Sequence, residues 1–374
     1  MKKTILMINV HQDDVLCFRK EVILGLEKQG YKVVLLYPLG DRTSEITNEN
    51  IIAEDVRMDR HGCNPFKDFA LMLRYRKAIK KYKPALVLLY TIKPNIYGGI
   101  VSSWMKVPFV NNITGIGSAM HEKETFLEKF ITLLYRIALK KTNHIFFQNK
   151  ENHKLFLEKK ICTMENSSVI PGSGVDLNRF QYVAPEKREK IVFNYIGRIM
   201  RSKGVMEYIE CAQKVKAEHP NCEFNMIGFT EEDEIELKQV LQEQQEQGNV
   251  VYHGPQSDVR PWIIASDAII LPSKYGEGMS NVLLETAAVG RALITTRIPG
   301  CACLTENNNG YLFDPGDAEG LISCVKEFIA LNSDEREEMG RRSRELVEAS
   351  YSRERVVNAY LDVANRVIGD GVTV

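Results

Sequence analysis

Two glutamates separated by seven residues, Glu277 and Glu285, mark the segment of this chain best suited to bind a ligand. The segment follows an apolar run at 268–271 and leads into a helix-forming run after Ser280, a favourable N-cap residue. The first backbone amides of such a helix lack helical acceptors and carry its positive end, so they suit a diphosphate. Each carboxylate can accept two hydroxyl hydrogen bonds, as a sugar ring or a ribose diol would donate. The predicted backbone contacts are Gly278, Met279, Ser280, Asn281 and Val282.

A basic turn at 197–204 supplies the second half of the predicted site. Gly197 permits a tight turn after an apolar strand, and Arg198 and Lys203 bring fixed positive charge suited to a leaving diphosphate. Taken alone, such a basic turn is more often a helix cap than a ligand-binding site. Two glutamates in a loop, taken alone, more often lie on the solvated surface than in a binding site. The two segments occupy equivalent strand-to-helix positions of one repeating pattern, which favours a shared functional site.

Apolar runs alternate with amphipathic helical segments along the whole chain, which predicts parallel sheets covered by helices on both faces. Predicted strands lie at 4–10, 31–37, 85–90, 108–113, 144–148, 191–196, 222–227, 250–253, 268–271 and 292–295. Predicted helices lie at 18–29, 66–83, 96–106, 126–141, 204–218, 231–247, 281–288, 318–331, 334–348 and 353–368, with a polar loop at 11–14. The fold class is therefore α/β, with two doubly wound, Rossmann-like domains that place their ligand sites at the carboxyl ends of the strands.

The length of 374 residues favours two domains over one. We expect an N-terminal domain at 1–172, joined by the C-terminal helix at about 353–374, and a second domain at 173–352. No apolar run approaches the roughly 20 residues that span a bilayer, and Asn9, His11 and Gln12 interrupt any signal-like stretch. The eight cysteines show no zinc or redox spacing, so reduced thiols and a cytoplasmic location are expected.

Charge is distributed unevenly although the chain is neutral overall. Residues 1–180 hold 28 basic and 18 acidic side chains, whereas the remainder holds 21 basic and 31 acidic ones. The basic half could face a membrane surface or a phosphorylated acceptor, or the difference could be incidental.

Two helices of the basic half carry much apolar surface. On the 66–83 helix we expect five residues to face the core, Phe66, Phe69, Ala70, Leu73 and Ile79, beside a basic run at 74–83. The 126–141 helix has one narrow polar stripe, Glu124, Glu128, Thr132, Arg136 and Lys140. Its wide apolar face could belong to the core or could dip into a bilayer.

The chain resembles the family 4 retaining glycosyltransferases along nearly all of its length. The resemblance is carried by Phe18-Arg19, Gly98 after 95–97, the loop at 112–117, the segment at 171–176, the Arg198/Lys203 pair, the Glu277/Glu285 pair, 299–301 and 310–312. The 112–117 loop, Asn-Ile-Thr-Gly-Ile-Gly, is most similar to the branch that extends lipid-linked oligosaccharides for capsules, O-antigens and bacterial N-glycans. This resemblance implies the GT-B fold.

The resemblance also implies roles for particular residues. Arg198 and Lys203 would bind the donor diphosphate, Glu285 the ribose, and Glu277 the transferred sugar. The nucleotide base would lie near Gly228 and the turn at His253 and Gly254. Residues implied for the N-terminal domain are Thr114, Gly115, Ile116, Gly117, His11, Arg19 and His121. No metal or other cofactor is expected, because the Asp-x-Asp motif is absent and the basic pair can neutralise the leaving group.

Two positions depart from the family pattern. Many members carry a histidine in the loop that corresponds to 114–117, whereas here the nearest is His121. Ala302-Cys303 stand where the branch commonly has Arg-Glu, so the groups that would recognise the sugar differ here from the family pattern.

The expected function is a retaining transfer of a sugar from a nucleotide diphosphate donor, a UDP-hexose or UDP-N-acetylhexosamine. The expected acceptor is an undecaprenyl-diphosphate-linked saccharide in surface polysaccharide or glycan assembly. We expect a cytoplasmic protein that is peripheral on the inner membrane through its basic half and has no nucleic-acid partner. Two alternatives remain, a non-catalytic nucleotide-sugar-binding protein and a non-hydrolysing UDP-sugar epimerase.

Overall fold

The computed structural model describes residues 2–58, 64–116, 125–231, 234–275 and 277–369. The chain divides into two compact units, one made of Met1–Ser173 with Arg353–Val374 and the other of Gly174–Ser352. This division lies one residue from the boundary expected at 172/173.

Seven parallel strands form the sheet of the first unit, in the order β3-β2-β1-β4-β5-β6-β7. They are β1 (Thr4–Ile8), β2 (Lys32–Tyr37), β3 (Ile51–Asp55), β4 (Leu86–Tyr90), β5 (Phe109–Ile113), β6 (His144–Phe147) and β7 (Ser167–Val169). Strands β3 and β7 were not predicted; both lie at the sheet edges, and β7 has one apolar residue among its three.

The helices of this unit before its return segment are α1 (Gln12–Phe18), α2 (Lys20–Lys28), α3 (Pro65–Tyr82), α4 (Gly99–Trp104), α5 (Phe126–Leu139) and α6 (Lys150–Glu158). A π-helical turn, Pro94–Gly98, leads into α4. The predicted loop at 11–14 is wrong, since the α1 helix begins at Gln12. The imidazole of His11 caps that helix by accepting a hydrogen bond from the Asp13 amide at 3.1 Å.

Six parallel strands form the sheet of the second unit, in the order β10-β9-β8-β11-β12-β13. They are β8 (Ile191–Ile196), β9 (Cys222–Ile227), β10 (Val251–Tyr252), β11 (Ala268–Leu271), β12 (Ala292–Thr296) and β13 (Gly310–Phe313). The chain runs outwards from β8 to β10 and then returns to β11 on the other side of β8. The carboxyl ends of β8 and β11 therefore define the topological switch point, where ligands bind in doubly wound sheets.

The helices of the second unit are α7 (Val205–Glu218), α8 (Ile235–Glu246), α9 (Arg260–Ile264), α10 (Asn281–Val289), α11 (Pro299–Ala302), α12 (Ala318–Ala330) and α13 (Ser333–Ser350). Helix α14 (Arg353–Gly369) then returns to the first unit and packs against α2. Both sheets are buried on their two faces, as in β1, where Ile5 and Met7 pack on the side of α2 and α14 and Leu6 and Ile8 pack on the side of α3. The α/β prediction is confirmed.

Helix α3 turns a different face inwards from the one expected. Phe66, Phe69 and Leu73 of α3 are 88%, 58% and 50% exposed, whereas Leu71, Tyr75 and Ala78 are buried. The prediction that Phe66, Phe69, Ala70 and Leu73 face the core is therefore wrong; of the five, Ile79 alone is buried. Among the described helices, none is long and apolar enough to cross a bilayer.

Candidate functional site

The two loops singled out in the sequence follow neighbouring strands of the second unit. The basic turn follows β8 and the glutamate loop follows β11, and these strands pair in parallel register, Ala268 with Phe193 and Ile269 with Asn194. Both loops therefore leave the sheet at the same edge and at the switch point. Strands β8 and β11 are more than seventy residues apart in the sequence, and their pairing brings the side chains of the basic turn next to those of the glutamate loop.

Gly204 sets how closely the two loops approach. Its backbone lies in the left-handed region at φ +75°, and a Cβ there would stand 1.9 Å from the carbonyl oxygen of Pro272. The amide of Lys274 donates to the carbonyl of Ser202 at 2.9 Å, which holds the loops together beside this contact. Glycine is required because any side chain would collide with backbone atoms that cannot move aside.

Lys203 and Glu277 form an ion pair at this meeting point. The same Glu277 oxygen also accepts a hydrogen bond from the Ser273 hydroxyl at 3.1 Å. The two charged side chains are 20% and 19% exposed, so they are largely screened from water yet retain access to a ligand. The hydroxyl of Thr296 fixes Ser273 by donating to its carbonyl at 2.8 Å. The structure thus places the predicted phosphate-binding and sugar-binding groups in direct contact.

Arg198 occupies the turn directly after β8 with its side chain exposed. Its carbonyl accepts a hydrogen bond from the Tyr195 hydroxyl at 2.6 Å. Burial, and then the charge of Glu277, raise the pKa of Tyr195, so this phenol stays protonated and remains a donor. The Arg198 guanidinium forms no hydrogen bond or ion pair with any residue that the structure describes. Tyr195 was not identified from the sequence, where it reads as one more apolar strand residue.

The start of α10 differs from the prediction in one respect. Ser280 is the N-cap, as expected, and its hydroxyl accepts from the Leu283 amide at 3.4 Å. The Ser280 amide, however, donates to the carbonyl of Gly300 at 3.0 Å, so the prediction of an unengaged amide there is wrong. Gly300 comes this close because it has no side chain: a Cβ would lie 2.3 Å from the Glu277 carbonyl oxygen. Gly278 and Met279 are buried in the same loop, and Asn281, Val282 and Glu285 are half-buried on α10.

Beneath the loop, Cys301 is fully buried. Burial, and then the negative charge of Glu277, raise the pKa of its thiol, which keeps the sulfur neutral. Its neighbour Cys303 is half-buried, and its carbonyl accepts from the Tyr351 hydroxyl at 3.0 Å. Cys301 belongs to the apolar core of the second unit, and Cys303 packs against that core. No group of three or more potential metal-ligating side chains is assembled within the described ranges.

The residues expected near a nucleotide base lie along the ends of β9 and β10. The Gly197 amide donates to Ile227 at 2.9 Å, and the Gly228 amide donates to Gly254 at 3.0 Å, so three adjacent turns are connected. The His253 ring is occupied inside the unit: its Nε2 is 2.7 Å from Asn225 Oδ1, and it lies against the Trp262 ring at 4.2 Å. Burial lowers the pKa of His253, so its imidazole contributes as a neutral group. Its role in this geometry is to shape the turn.

The residues predicted for the N-terminal domain fall into four groups. Thr114 and Gly115 are half-buried after β5, and Ile116 is buried. Arg19 is 5% exposed, with its guanidinium 4.8 Å from the centre of the Tyr90 ring and 3.4 Å from the Ser173 hydroxyl. His11 is the helix cap described above. Gly117 and His121 lie outside the described residues.

A second ion pair, Lys274–Glu207, connects the glutamate loop to α7 at 2.5 Å. Glu207 is 8% exposed, and its other carboxylate oxygen has no hydrogen-bond partner in the part of the chain that the structure describes. Removing the lysine would leave a buried carboxylate unpaired.

We expect Lys274→Met to lower the free energy of unfolding by about 2 kcal/mol, discounted because Lys274 is partly exposed. We also expect donor KM to rise several-fold as the loop loosens. Chemical denaturation and steady-state kinetics would measure both effects. The control is the double variant Lys274→Met/Glu207→Gln, which removes the uncompensated charge and should recover most of the lost stability. Equal stability of the two variants would contradict this account.

Family models match both units of the chain. Residues 190–330 match the model of glycosyl transferases group 1, and residues 5–149 match that of glycosyl transferase 4-like proteins. One curated relative is an N,N'-diacetylbacillosaminyl-diphospho-undecaprenol α-1,3-N-acetylgalactosaminyltransferase of Campylobacter jejuni, 26% identical over 76% of this chain and 78% of that protein. Another is a UDP-Gal:α-D-GlcNAc-diphosphoundecaprenol α-1,3-galactosyltransferase of Escherichia coli, 27% identical over 69% and 70%.

Solved structures show the same fold. A glycosyltransferase from Rickettsia africae aligns with a TM-score of 0.77 at 20% identity, covering 98% of this chain and 99% of that one. Anabaena Alr3699/HepE in complex with UDP aligns with a TM-score of 0.77 at 15% identity, covering 97% and 100%. The expected GT-B class and the resemblance drawn from the sequence are confirmed. This chain, with its paired loops at the switch point of the second unit, belongs to the group 1, family-4-like glycosyltransferases of GT-B fold.

Proposed function

We propose that this glycosyltransferase moves a sugar, with retention of anomeric configuration, from a UDP-hexose or UDP-N-acetylhexosamine to an undecaprenyl-diphosphate-linked saccharide. The proposed nucleotide-sugar donor rests on the Lys203–Glu277 pair at the switch point, with Arg198 exposed on the adjoining turn. The acceptor half is supported by the Campylobacter and Escherichia relatives, whose names specify diphospho-undecaprenol-linked acceptors. Surface polysaccharide or glycan assembly is the corresponding process.

The ion pair suggests how donor binding prepares the site. A donor diphosphate competes with Glu277 for the Lys203 ammonium, and the stronger charge of the diphosphate draws the lysine towards it. The Glu277 carboxylate is then available for hydroxyls of the transferred sugar, while the Ser273 hydroxyl continues to position it. Glu285 on α10 would accept hydrogen bonds from the ribose.

The bond from the anomeric carbon to the leaving diphosphate oxygen breaks as the acceptor hydroxyl attacks the same face. The leaving diphosphate takes the acceptor proton, so no separate protein base is needed. Arg198 and Lys203 stabilise the negative charge that develops on the diphosphate. In this proposal the two cations take the place of a metal ion, and activity is expected to persist in excess chelator.

We place the enzyme in the cytoplasm, peripheral on the inner-membrane surface that holds the acceptor. The support is the excess of basic side chains in residues 1–180. Anionic lipid surfaces attract such a charge distribution.

The decisive experiment measures release of nucleotide diphosphate from a panel of UDP-, GDP- and ADP-sugars, with an undecaprenyl-diphosphate saccharide in detergent as acceptor. We expect release from one UDP-sugar, dependence on acceptor, and loss in Glu277→Ala. Donor binding without release across acceptors would instead favour a non-catalytic nucleotide-sugar-binding protein. Interconversion of UDP-sugars without an acceptor would favour the epimerase alternative.

A further inference from the structure

Helix α5 presents aromatic and aliphatic side chains to solvent. Phe126 is 87% exposed, and four further apolar residues are about half exposed, Leu127, Phe130, Leu133 and Ile137. At 100° per residue, Phe126, Phe130, Leu133 and Ile137 form one stripe along the helix. Isolated exposed apolar residues are ordinary, but a contiguous stripe of this size marks an interaction surface.

The orientation of α5 is fixed by polar contacts on its inner side. Glu128 and Thr132 are 5% and 7% exposed, and the Thr132 hydroxyl donates to Glu128 at 3.0 Å. Lys159 forms an ion pair with Glu128, and its carbonyl accepts from the Arg136 guanidinium at 2.8 Å. Because Glu128 and Lys159 would lose their pairing if the helix rotated, the apolar stripe is held outwards.

Helix α3 carries a second stripe of the same kind. Phe66, Phe69 and Leu73 are exposed along its first two turns, and Lys77 and Lys80 continue the same side of the helix. The inner side is fixed by Asp68, which pairs with Lys93 at 3.0 Å and accepts from the Tyr97 hydroxyl at 2.8 Å. The stripe is therefore apolar at its start and basic at its end.

The two stripes lie on one side of the first unit. Helices α3 and α5 both pack against the Pro94–Gly98 turn and α4, which cover the same face of the sheet. Each helix follows the carboxyl end of a strand and runs back towards the amino end of the next. Phe66 and Phe126, both in first turns, consequently lie at the same edge of the sheet, with basic side chains further along α3 at Lys77 and Lys80.

We propose that these residues form one docking surface, the α3–α5 platform, which binds an anionic lipid bilayer. Its members are Phe66, Phe69 and Leu73 with Lys77 and Lys80 on α3, and Phe126, Phe130, Leu133 and Ile137 on α5. The apolar side chains enter the boundary between headgroups and acyl chains, and the basic ones contact lipid phosphates. This inference deepens the membrane location in the proposed function and rests on it.

Charge distinguishes a bilayer from a second copy of the chain as the occupant. In a two-fold dimer the platform would face its own equivalent, so the lysines of α3 would meet a surface of like charge. An anionic bilayer complements that charge, and it also accepts phenylalanines without requiring a shape-matched pocket. A lipid surface therefore accounts for the apolar stripes of both helices and for the basic end of the α3 stripe.

The test uses the full chain and vesicles that contain no saccharide acceptor. Vesicles of phosphatidylethanolamine with phosphatidylglycerol would be compared with phosphatidylcholine alone by flotation, at low and high salt. We expect binding to the anionic vesicles that weakens with salt, and a drop of about tenfold for Phe66→Ser or Phe126→Ser. The double variant should lose about a hundredfold, and Lys77→Gln/Lys80→Gln should weaken binding to anionic vesicles alone.

Ile235→Ser is the matched control, because Ile235 is 65% exposed on α8 of the other unit. It should bind vesicles like the unaltered chain. Three results would each overturn the proposal. The control could lose vesicle binding as much as the phenylalanine variants do, or the unaltered chain could fail to bind vesicles at all. The chain could also form a concentration-dependent dimer that Phe126→Ser abolishes. Nucleotide release with detergent-solubilised acceptor is measured on the same variants. Its retention in Phe66→Ser/Phe126→Ser separates a failed platform from a failed transferase.

Discussion

Lys203→Ala is expected to lower kcat/KM for sugar transfer by about two to three orders of magnitude, the usual cost of removing one preorganised group that stabilises a developing negative charge. The substitution acts twice. It removes the ammonium placed to receive the leaving diphosphate, and it deprives Glu277 of the charged partner Lys203, although the Ser273 hydroxyl still donates to the carboxylate at 3.1 Å. The measurement is acceptor-dependent release of nucleotide diphosphate under steady-state conditions.

Two controls separate chemistry from folding. Lys203→Arg keeps the charge and should retain considerably more activity than alanine. Lys216→Ala removes a lysine from α7, whose amine bonds the carbonyl of Gly248 and no other group in the described part of the chain, so activity should stay within a factor of two. A loss below tenfold in Lys203→Ala, with a normal unfolding temperature, would mean that this lysine does not contact the diphosphate.

Gly204→Ala is expected to lower the apparent midpoint of thermal unfolding of the second unit by about 10 °C. The left-handed backbone costs a residue with a Cβ about 1–2 kcal/mol. The collision with the Pro272 carbonyl, 1.9 Å from the new atom, forces the two site loops apart and adds a comparable or larger cost. Donor affinity should fall as well, because Lys203 and Glu277 would no longer be held together.

Gly248→Ala supplies the matched control. Its φ is +74°, nearly that of Gly204, but nothing lies within 4 Å of its added Cβ. The loss in free energy of unfolding of Gly248→Ala should therefore come from backbone strain alone and amount to about 1 kcal/mol, and donor affinity should not change. Similar shifts in the two variants would show that the close approach of the loops contributes nothing to stability.

The sequence by itself determined the fold class and the identity of the donor-site loops. Apolar runs buried on both faces alternate with helices, and this local pattern is sufficient to predict parallel α/β sheets. The glutamate loop and the basic turn were recognisable because each joins a strand to a helix and concentrates glycine and charge at that junction. The N-cap role of Ser280 follows from such local geometry.

Contacts between distant segments were decided only by the tertiary structure. The sequence offered Lys203 and Glu277 as separate ligands for phosphate and sugar, but the pairing of β8 with β11 makes them partners. The Ser280 amide was expected to be available, yet the Gly300 carbonyl occupies it. His11 and His253 were expected near ligands, whereas a helix amide, Asn225 and Trp262 engage their rings.

Contacts between distant segments also decide which faces of α3 and α5 turn inwards. Periodicity shows which residues share a helix face, but it does not show which face turns inwards when both can make favourable contacts. In α5 the ion pair between Glu128 and Lys159 directs the polar side inwards, and in α3 the contacts of Asp68 with Lys93 and Tyr97 do the same. Burial of these polar side chains requires partners from elsewhere in the chain, and the positions of those partners exist only once the sheet has formed. The exposed apolar stripes, and with them the proposed lipid-binding surface, are consequences of the tertiary structure.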